Sequence, residues 1–405
     1  MYVNLAIVAA FAFIYSSIAG RIEKSMVTGP ILFIAFGLIC GPFGIGILDI
    51  KIENVELRVI ADITLALILF IDAANADLGE LRAHIKIPGR MLIVGMPLVI
   101  GLGVAFGLYL FPGVSIFELC ILATMLAATD AALGKGVITN KAVPSRIREG
   151  LNAESGLNDG LAVPILFLFI ALAVGSSSEQ NSTSMALELV ARELGIGLVV
   201  GLGLTFLASL LVNWCYRKNW VTDIWQQILV VALALTCFAV AQSLHGSGYI
   251  AAFVGGLLFG RLAGSDTHEL VHSGEGISEL LALATWVMFG AAVVGQAWAG
   301  MTWEIVIYSL LSLTVIRVAP MVLALTGSGE NLESKLFLAW FGPRGLASIV
   351  FVIIVSDYDL PSFSTLVHTV VCTVTLCVLA HGLTANTWAR RLGRSSQDTK
   401  SIDIV

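Results

Sequence analysis

A chain of 405 residues in which 58% are hydrophobic and only 12% charged cannot fold as a water-soluble globule, whose composition holds roughly 25% charged residues. No nucleic-acid partner is expected of such a chain, whose net charge is -6. Apolar runs of about 17 to 25 residues, enough to cross a hydrocarbon layer of about 30 Å as helix, recur from Tyr2 to Leu383. They are continuous rather than alternating, so the fold class expected is an all-α polytopic membrane bundle and not a barrel.

The first three spans are expected at roughly 2–20, 29–48 and 59–72. The first lacks a basic flank and a small-residue cleavage site, so it is read as a retained span rather than a signal peptide. On the third, Asp62 near the outer end is an entrance residue or nothing more than interfacial, and Asp72 and Asp77 read as solvated carboxylates at the cytoplasmic end. Spans four to six are expected at roughly 91–112, 116–138 and 149–173, the fifth carrying Thr129 and Asp130 at mid-depth. The seventh, at roughly 189–213, carries Gly195, Gly197, Gly201 and Gly203, a pattern suited to close helix packing. The remainder fall at roughly 224–244, 248–263, 278–296, 303–325, 333–355 and 362–383. That makes about thirteen spans, with residues 384–405 as a short cytoplasmic tail and no soluble domain within this sequence.

Charge is sharply sided. One set of alternate loops and ends carries most of the basic residues, among them Arg21, Lys86, Arg90, Arg146, Arg148, Arg217, Arg261, Lys335, Arg390 and Arg391, whereas the other has only Lys51, Arg58 and Arg192. The positive-inside rule then puts the C-terminus in the cytoplasm and, with an odd number of spans, the N-terminus outside, in the cell's inner membrane. The cysteines lie mostly within apolar runs without CxxC spacing and read as packing residues. His84, His268 and His272 read as solvated loop residues.

Two spans carry polar or helix-breaking residues at mid-depth: the fifth, with Thr129-Asp130, and the twelfth, with Gly342-Pro343-Arg344-Gly345. They lie an odd number of spans apart, as inverted repeats with interrupted helices in matching positions require, and such breaks point to the binding site of a transporter. Intramembrane acids cost about 2.5 to 3.5 kcal/mol each and so need a partner or a function. On the sixth span Ser155 and Asp159, and likewise Glu154 and Asn158, are spaced to share adjacent stripes of one helix. With Thr129 and Asp130 opposite, that face offers the oxygens a hard monovalent cation wants. Glu154 needs a counter-charge, for which Arg317 is preferred and Arg344 second. The alternative for Arg344 is a kinked helix from which it snorkels toward the cytoplasm. Asp159 is then left to hold either a proton or a cation, and mutual exclusion at one carboxylate gives coupled exchange.

The Ala128-Thr129-Asp130 cluster, the Glu154-Ser155-Gly156-Leu157-Asn158-Asp159-Gly160 stretch, Arg317 and the Phe341-Gly342-Pro343-Arg344-Gly345-Leu346-Ala347-Ser348 segment resemble the sodium/proton exchanger family, in its electroneutral Asn-Asp branch. The resemblance covers nearly the whole chain. It implies that Asp159 binds the ion and the proton, with Thr129, Asp130, Ser155 and Asn158 lining or shaping the site. It also implies thirteen helices with crossed interrupted helices, a homodimer, and an ion-binding core (about residues 91–173 and 303–383) moving like an elevator against a dimerisation scaffold, all within residues 1–383. Many members have proline after the fifth-span aspartate, where this chain has Ala131. Asn158 cannot titrate, so one proton per Na+ (or Li+) and indifference to membrane potential are expected.

The transported ions and the lipid are then the chain's small partners, and no resident cofactor or enzymatic activity is expected. A K+/H+ antiporter of the same fold is the nearest rival, because nothing in the spacing fixes cavity size. A channel would need a continuous polar pore or a filter, and an intramembrane aspartyl hydrolase a catalytic dyad holding a water.

Overall fold

The computed structural model describes residues 2–22, 25, 27–48, 55–76, 86–130, 133, 137, 140, 143–177, 183–263 and 267–402, and no strand occurs among them. Asp77 and His84 lie outside the described residues. The helices are α1 (Tyr2–Ile22), α2 (Gly29–Cys40), α3 (Val55–Asn75), α4 (Lys86–Leu110), α5 (Ile116–Met125), α6 (Ser145–Ser177) and α7 (Thr183–Arg217). They continue with α8 (Asp223–Ser243), α9 (Gly248–Ala263), α10 (Thr267–Met288), α11 (Trp303–Ala324), α12 (Leu332–Trp340), α13 (Leu346–Val355) and α14 (Phe363–Ile402). Seven of the described helices are by themselves long and apolar enough to cross a membrane, and five more are apolar but shorter.

The twelfth span is interrupted as the sequence reading expects: it is two helices, α12 and α13, separated by the irregular Phe341–Gly345 segment. Other elements differ from the expectation. α11 is broken at Thr314, whose φ of -110° and ψ of -93° lie outside the helical region. His268 and His272 fall within α10 rather than in a loop, and His272 Nδ1 pairs with Glu275 one turn on at 2.9 Å. The residues expected to form a tail continue α14 to Ile402, because Ala385, Ala389 and Leu392 recur at helical spacing and are buried against the bundle.

Local chemistry explains how the central elements begin. Ser115 caps α5 in a reciprocal box with Glu118. Glu118 also accepts the N–H (2.7 Å) and the hydroxyl (3.2 Å) of Ser362, pinning the start of α5 to the start of α14. Asn331 caps α12 through the Ser334 N–H at 2.7 Å.

Packing sorts most of the helices into two groups. α2, α3, α7, α8, α9 and α10 contact mainly one another, as do α4, α5 and α11 to α14. α6 spans the boundary, touching α3, α7 and α9. Of the seventh-span glycines, Gly197 and Gly201 let α7 approach α9, since a Cβ there would lie 2.5 Å from Ser247 O and 2.4 Å from Ala251 O. Gly195 and Gly203 face open space.

Candidate functional site

The break after α5 and the break between α12 and α13 meet. In lipid every main-chain group freed from a helix needs another partner, and here each break supplies the other. The Asp130 N–H donates to Pro343 O at 2.8 Å, the Leu346 N–H donates back to Asp130 Oδ2 at 2.8 Å, and Ser348 Oγ donates to Met125 O at 2.7 Å. The Leu133 N–H reaches Asp130 Oδ1 at 3.4 Å. Asp130 therefore stands at the N-terminus of α13, where exposed N–H groups and the helix dipole favour a negative charge. Gly345 makes room for it, because a Cβ at that position would come within 1.9 Å of Asp130 Oδ2.

α6 passes alongside the α5 break and supplies partners to two of its carbonyls. Ser155 Oγ donates to Thr129 O at 2.8 Å, and Asn158 Nδ2 reaches Ala127 O and Thr129 Oγ1, both at 3.2 Å. Asn158 Nδ2 also reaches Glu154 Oε1 at 3.1 Å, while Thr129 Oγ1 donates to Glu154 Oε2 at 3.3 Å. On the far side of Glu154, Arg317 Nη2 donates to Oε1 at 3.2 Å and Arg317 Nε to Ala339 O at 3.2 Å, all of it buried. Gly342 clears the space for that guanidinium, since a Cβ there would meet Arg317 Nη2 at 1.7 Å. Thr129, Ser155, Asn158, Glu154 and Arg317 thus form one buried network joining α5, α6, α11 and α12.

Asp159 borders this network and is equally enclosed, but its Oδ1 has no hydrogen-bond partner, and neither has Oδ1 of the adjacent Asn158. The carboxylates in electrostatic reach of Asp159 are Asp130, Asp72 and Glu154. Such a face, with a bare carboxylate oxygen, an amide oxygen and the Thr129 and Ser155 oxygens close by, is suited to a small hard cation or a proton.

The profile of the family described as sodium/hydrogen exchanger, transmembrane, matches residues 7–391. The chain belongs to this family. It is therefore a polytopic membrane protein of a transporter family and not of an enzyme family. The K(+)/H(+) antiporter NhaP of Alkalimonas amylolytica is 23% identical over 354 residues, 86% of this chain and 60% of the relative. The Na(+)/H(+) antiporter of Schizosaccharomyces pombe is 25% identical over 258 residues, 59% of this chain and 54% of the relative. The chain thus matches only a little over half the length of these curated relatives. The sodium proton antiporter MjNhaP1 from Methanocaldococcus jannaschii, solved at pH 8, superposes with a TM-score of 0.78 at 20% identity, covering 95% of this chain and 99% of that one. The fold is the same.

One of the two readings of Arg344 falls, and Asp72 sits elsewhere than the sequence suggested. Arg344 does not snorkel: it is fully buried, its Nη1 donates to Gly342 O at 3.1 Å, its backbone N–H points at Cys377 Sγ at 2.9 Å, and it forms no ion pair among the described residues. Asp72, read as interfacial, lies against Gly156 of α6, where a Cβ would be 3.4 Å from the Asp72 Cβ, within one turn of Asp159. A signal was present in the sequence, since Asp72 follows an apolar run with no basic residue nearby, but its place beside α6 depends on where two helices cross.

Proposed function

We propose that this chain is a secondary antiporter that exchanges Na+ or Li+ for H+ by competition of cation and proton for Asp159. One observation carries the reading: Asp159 has no ion pair among the described residues and its Oδ1 is unpartnered, the Thr129 backbone bonding to the carboxylate without a countercharge, whereas Glu154 has Arg317 and Asp130 has the N-terminus of α13. A bare carboxylate at this depth is held neutral by a proton or balanced by a cation, and binding one displaces the other. Thr129, Ser155 and Asn158 shape the face on which the cation sits. Asp130 supports it by holding the two breaks together and adds negative potential from one side. Arg344 places a fixed positive charge beneath α13.

Asn158 donates to two oxygens of the broken segment and cannot titrate, so each cycle moves one proton against one cation and no net charge. The charge asymmetry of the loops supports a C-terminus in the cytoplasm and an N-terminus outside, in the cell's inner membrane. The packing division supports an ion-binding core of α4 to α6 and α11 to α14 moving against a scaffold that pairs with a second copy. K+ is the second reading for the cation, favoured by the relative whose name specifies K(+)/H(+) exchange.

In everted vesicles, adding Na+ or Li+ is expected to dequench a pH-sensitive dye, with a cation KM that rises as the pH falls. Asp159→Asn is expected to abolish the signal. Coupled exchange that survives this substitution would refute the mechanism, a larger response to K+ than to Na+ would move the substrate assignment, and dependence on an imposed potential would break the one-to-one ratio.

A further inference from the structure

The end of α3 away from Asp72 carries a second polar constellation. Both terminal nitrogens of Arg58 donate to the two oxygens of Asp357, and Arg58 Nε lies 3.7 Å from Asp62 Oδ2 one turn along the helix. Tyr249 Oη, in the first turn of α9, donates to Asp62 Oδ1 at 2.6 Å. Asp62 and Tyr249 belong to the same packing group as Arg58. Asp357 belongs to the other, two residues beyond α13, whose opposite end meets Asp130. One guanidinium is therefore gripped from both groups at once, across 299 positions of sequence.

The constellation lies in line with the ion site. Gly160, the neighbour of Asp159, packs on the ring of Phe253, where a Cβ would come within 2.2 Å, and Phe253 is one turn along α9 from Tyr249. Moving away from Asp159 the layers are Phe253, then Tyr249 with Asp62, then Arg58 with Asp357. The groups are not tightly fitted beside the last layer: a cavity of about 140 Å³ separates Ala61, Thr285 and Phe289 on one side from Val352, Ser356 and Val367 on the other. Closure at this face falls to the polar contacts. Arg58 and Asp357 are 46% and 38% exposed in their side chains, so water and salt compete with the pair and it can open within a transport cycle, unlike the enclosed Glu154–Arg317 pair.

We propose that Arg58 and Asp357 are a latch that closes the outward route to Asp159 and is broken and remade in each cycle, with Asp62 and Tyr249 keeping Arg58 on α3 while it is open. The proposal rests on the exchange reading, because one carboxylate shared by two ions must be reachable from one side at a time. The outward assignment follows from the Lys and Arg distribution, which puts Arg58 on the poorly basic face.

The test compares the Na+ KM in right-side-out and everted vesicles bearing the full chain. Asp357→Asn, or Arg58→Gln should the first variant fold poorly, is expected to raise the outward-open population. The KM at the outer face then falls by about two- to fivefold and that at the inner face rises correspondingly. The charge-swapped pair Arg58→Asp with Asp357→Arg is expected to return the ratio toward wild type. An unchanged ratio in a variant that folds and transports, or no restoration by the swap, would overturn the latch. Wild-type exchange that depends on Asp159 keeps this result separate from the exchange reading itself. If the wild type shows no exchange, amide hydrogen exchange of α6 and α9 in detergent still decides the latch: Asp357→Asn speeds exchange around Gly160 and Phe253 if it is right and leaves it unchanged if it is wrong.

Discussion

Asp130 and Asp159 are buried to nearly the same degree, 9% and 6% exposed, yet the chain treats them oppositely. Asp130 is bound into the crossing by the N–H of Leu346 at one oxygen and of Leu133 at the other, at the head of α13. Asp159, on an unbroken helix, has one oxygen that nothing in the described protein satisfies. Burial alone therefore does not mark a transport residue in this bundle. On the proposed reading, the transport carboxylate is set apart by having neither a helix terminus nor an arginine to answer its charge.

That contrast can be broken from the structural side, starting with the strongest interaction. Arg317→Ala leaves Glu154 buried with only polar neighbours, and losing one member of an enclosed pair costs about 3–5 kcal/mol. Thermal unfolding in detergent should show a large loss, with Glu154→Ala comparable. A joint replacement of the two by apolar residues of similar volume should recover much of it, and additive losses would mean the two residues are not acting as a pair. Gly345→Ala comes next. Its methyl group would overlap Asp130 Oδ2, and overpacking of this kind costs about 1–3 kcal/mol. Exchange should fall further than stability, since α13 loses its register against α5. Asp130→Asn keeps the size but removes the charge from the α13 N-terminus and turns an amide toward N–H donors, for a loss of about 1–2 kcal/mol. A variant as stable as wild type would show that Asp130 is not the cap it resembles here.

The crossing was readable in the sequence because lipid makes its ingredients expensive. Thr129-Asp130 and Gly342-Pro343-Arg344-Gly345 stand inside runs otherwise apolar, and Glu154 and Arg317 are opposite charges within such runs. Their proximity, 163 positions apart, follows from the need to neutralise both. Asp72 was misplaced because its neighbour is set by the approach of α3 to Gly156, which no local spacing encodes. The break at Thr314 carries neither glycine nor proline, so nothing local announced it. The extension of α14 did leave a trace in the spacing of Ala385, Ala389 and Leu392, outweighed by the polar residues among them. In the sequence Arg58 is only one of the few basic residues of its face, and only the fold shows that it meets Asp357.

The smallest expected change in stability belongs to the residue expected to matter most for transport. Asp159→Asn removes no ion pair and breaks no bond at Oδ1, so in cation-free buffer its unfolding temperature should stay close to wild type. The two proteins should part when Na+ is added. A cation that binds only the folded wild type stabilises it by about 1.4 kcal/mol for each tenfold rise in concentration above Kd, and protons taking the same oxygen should weaken that response as the pH falls. The neutral amide of the variant holds neither ion at this position, so its melting temperature should not respond to Na+ at any pH. A sodium-dependent shift that persists in the variant would place the cation on other oxygens, with Asp130 and Asp72 the nearest carboxylates to examine.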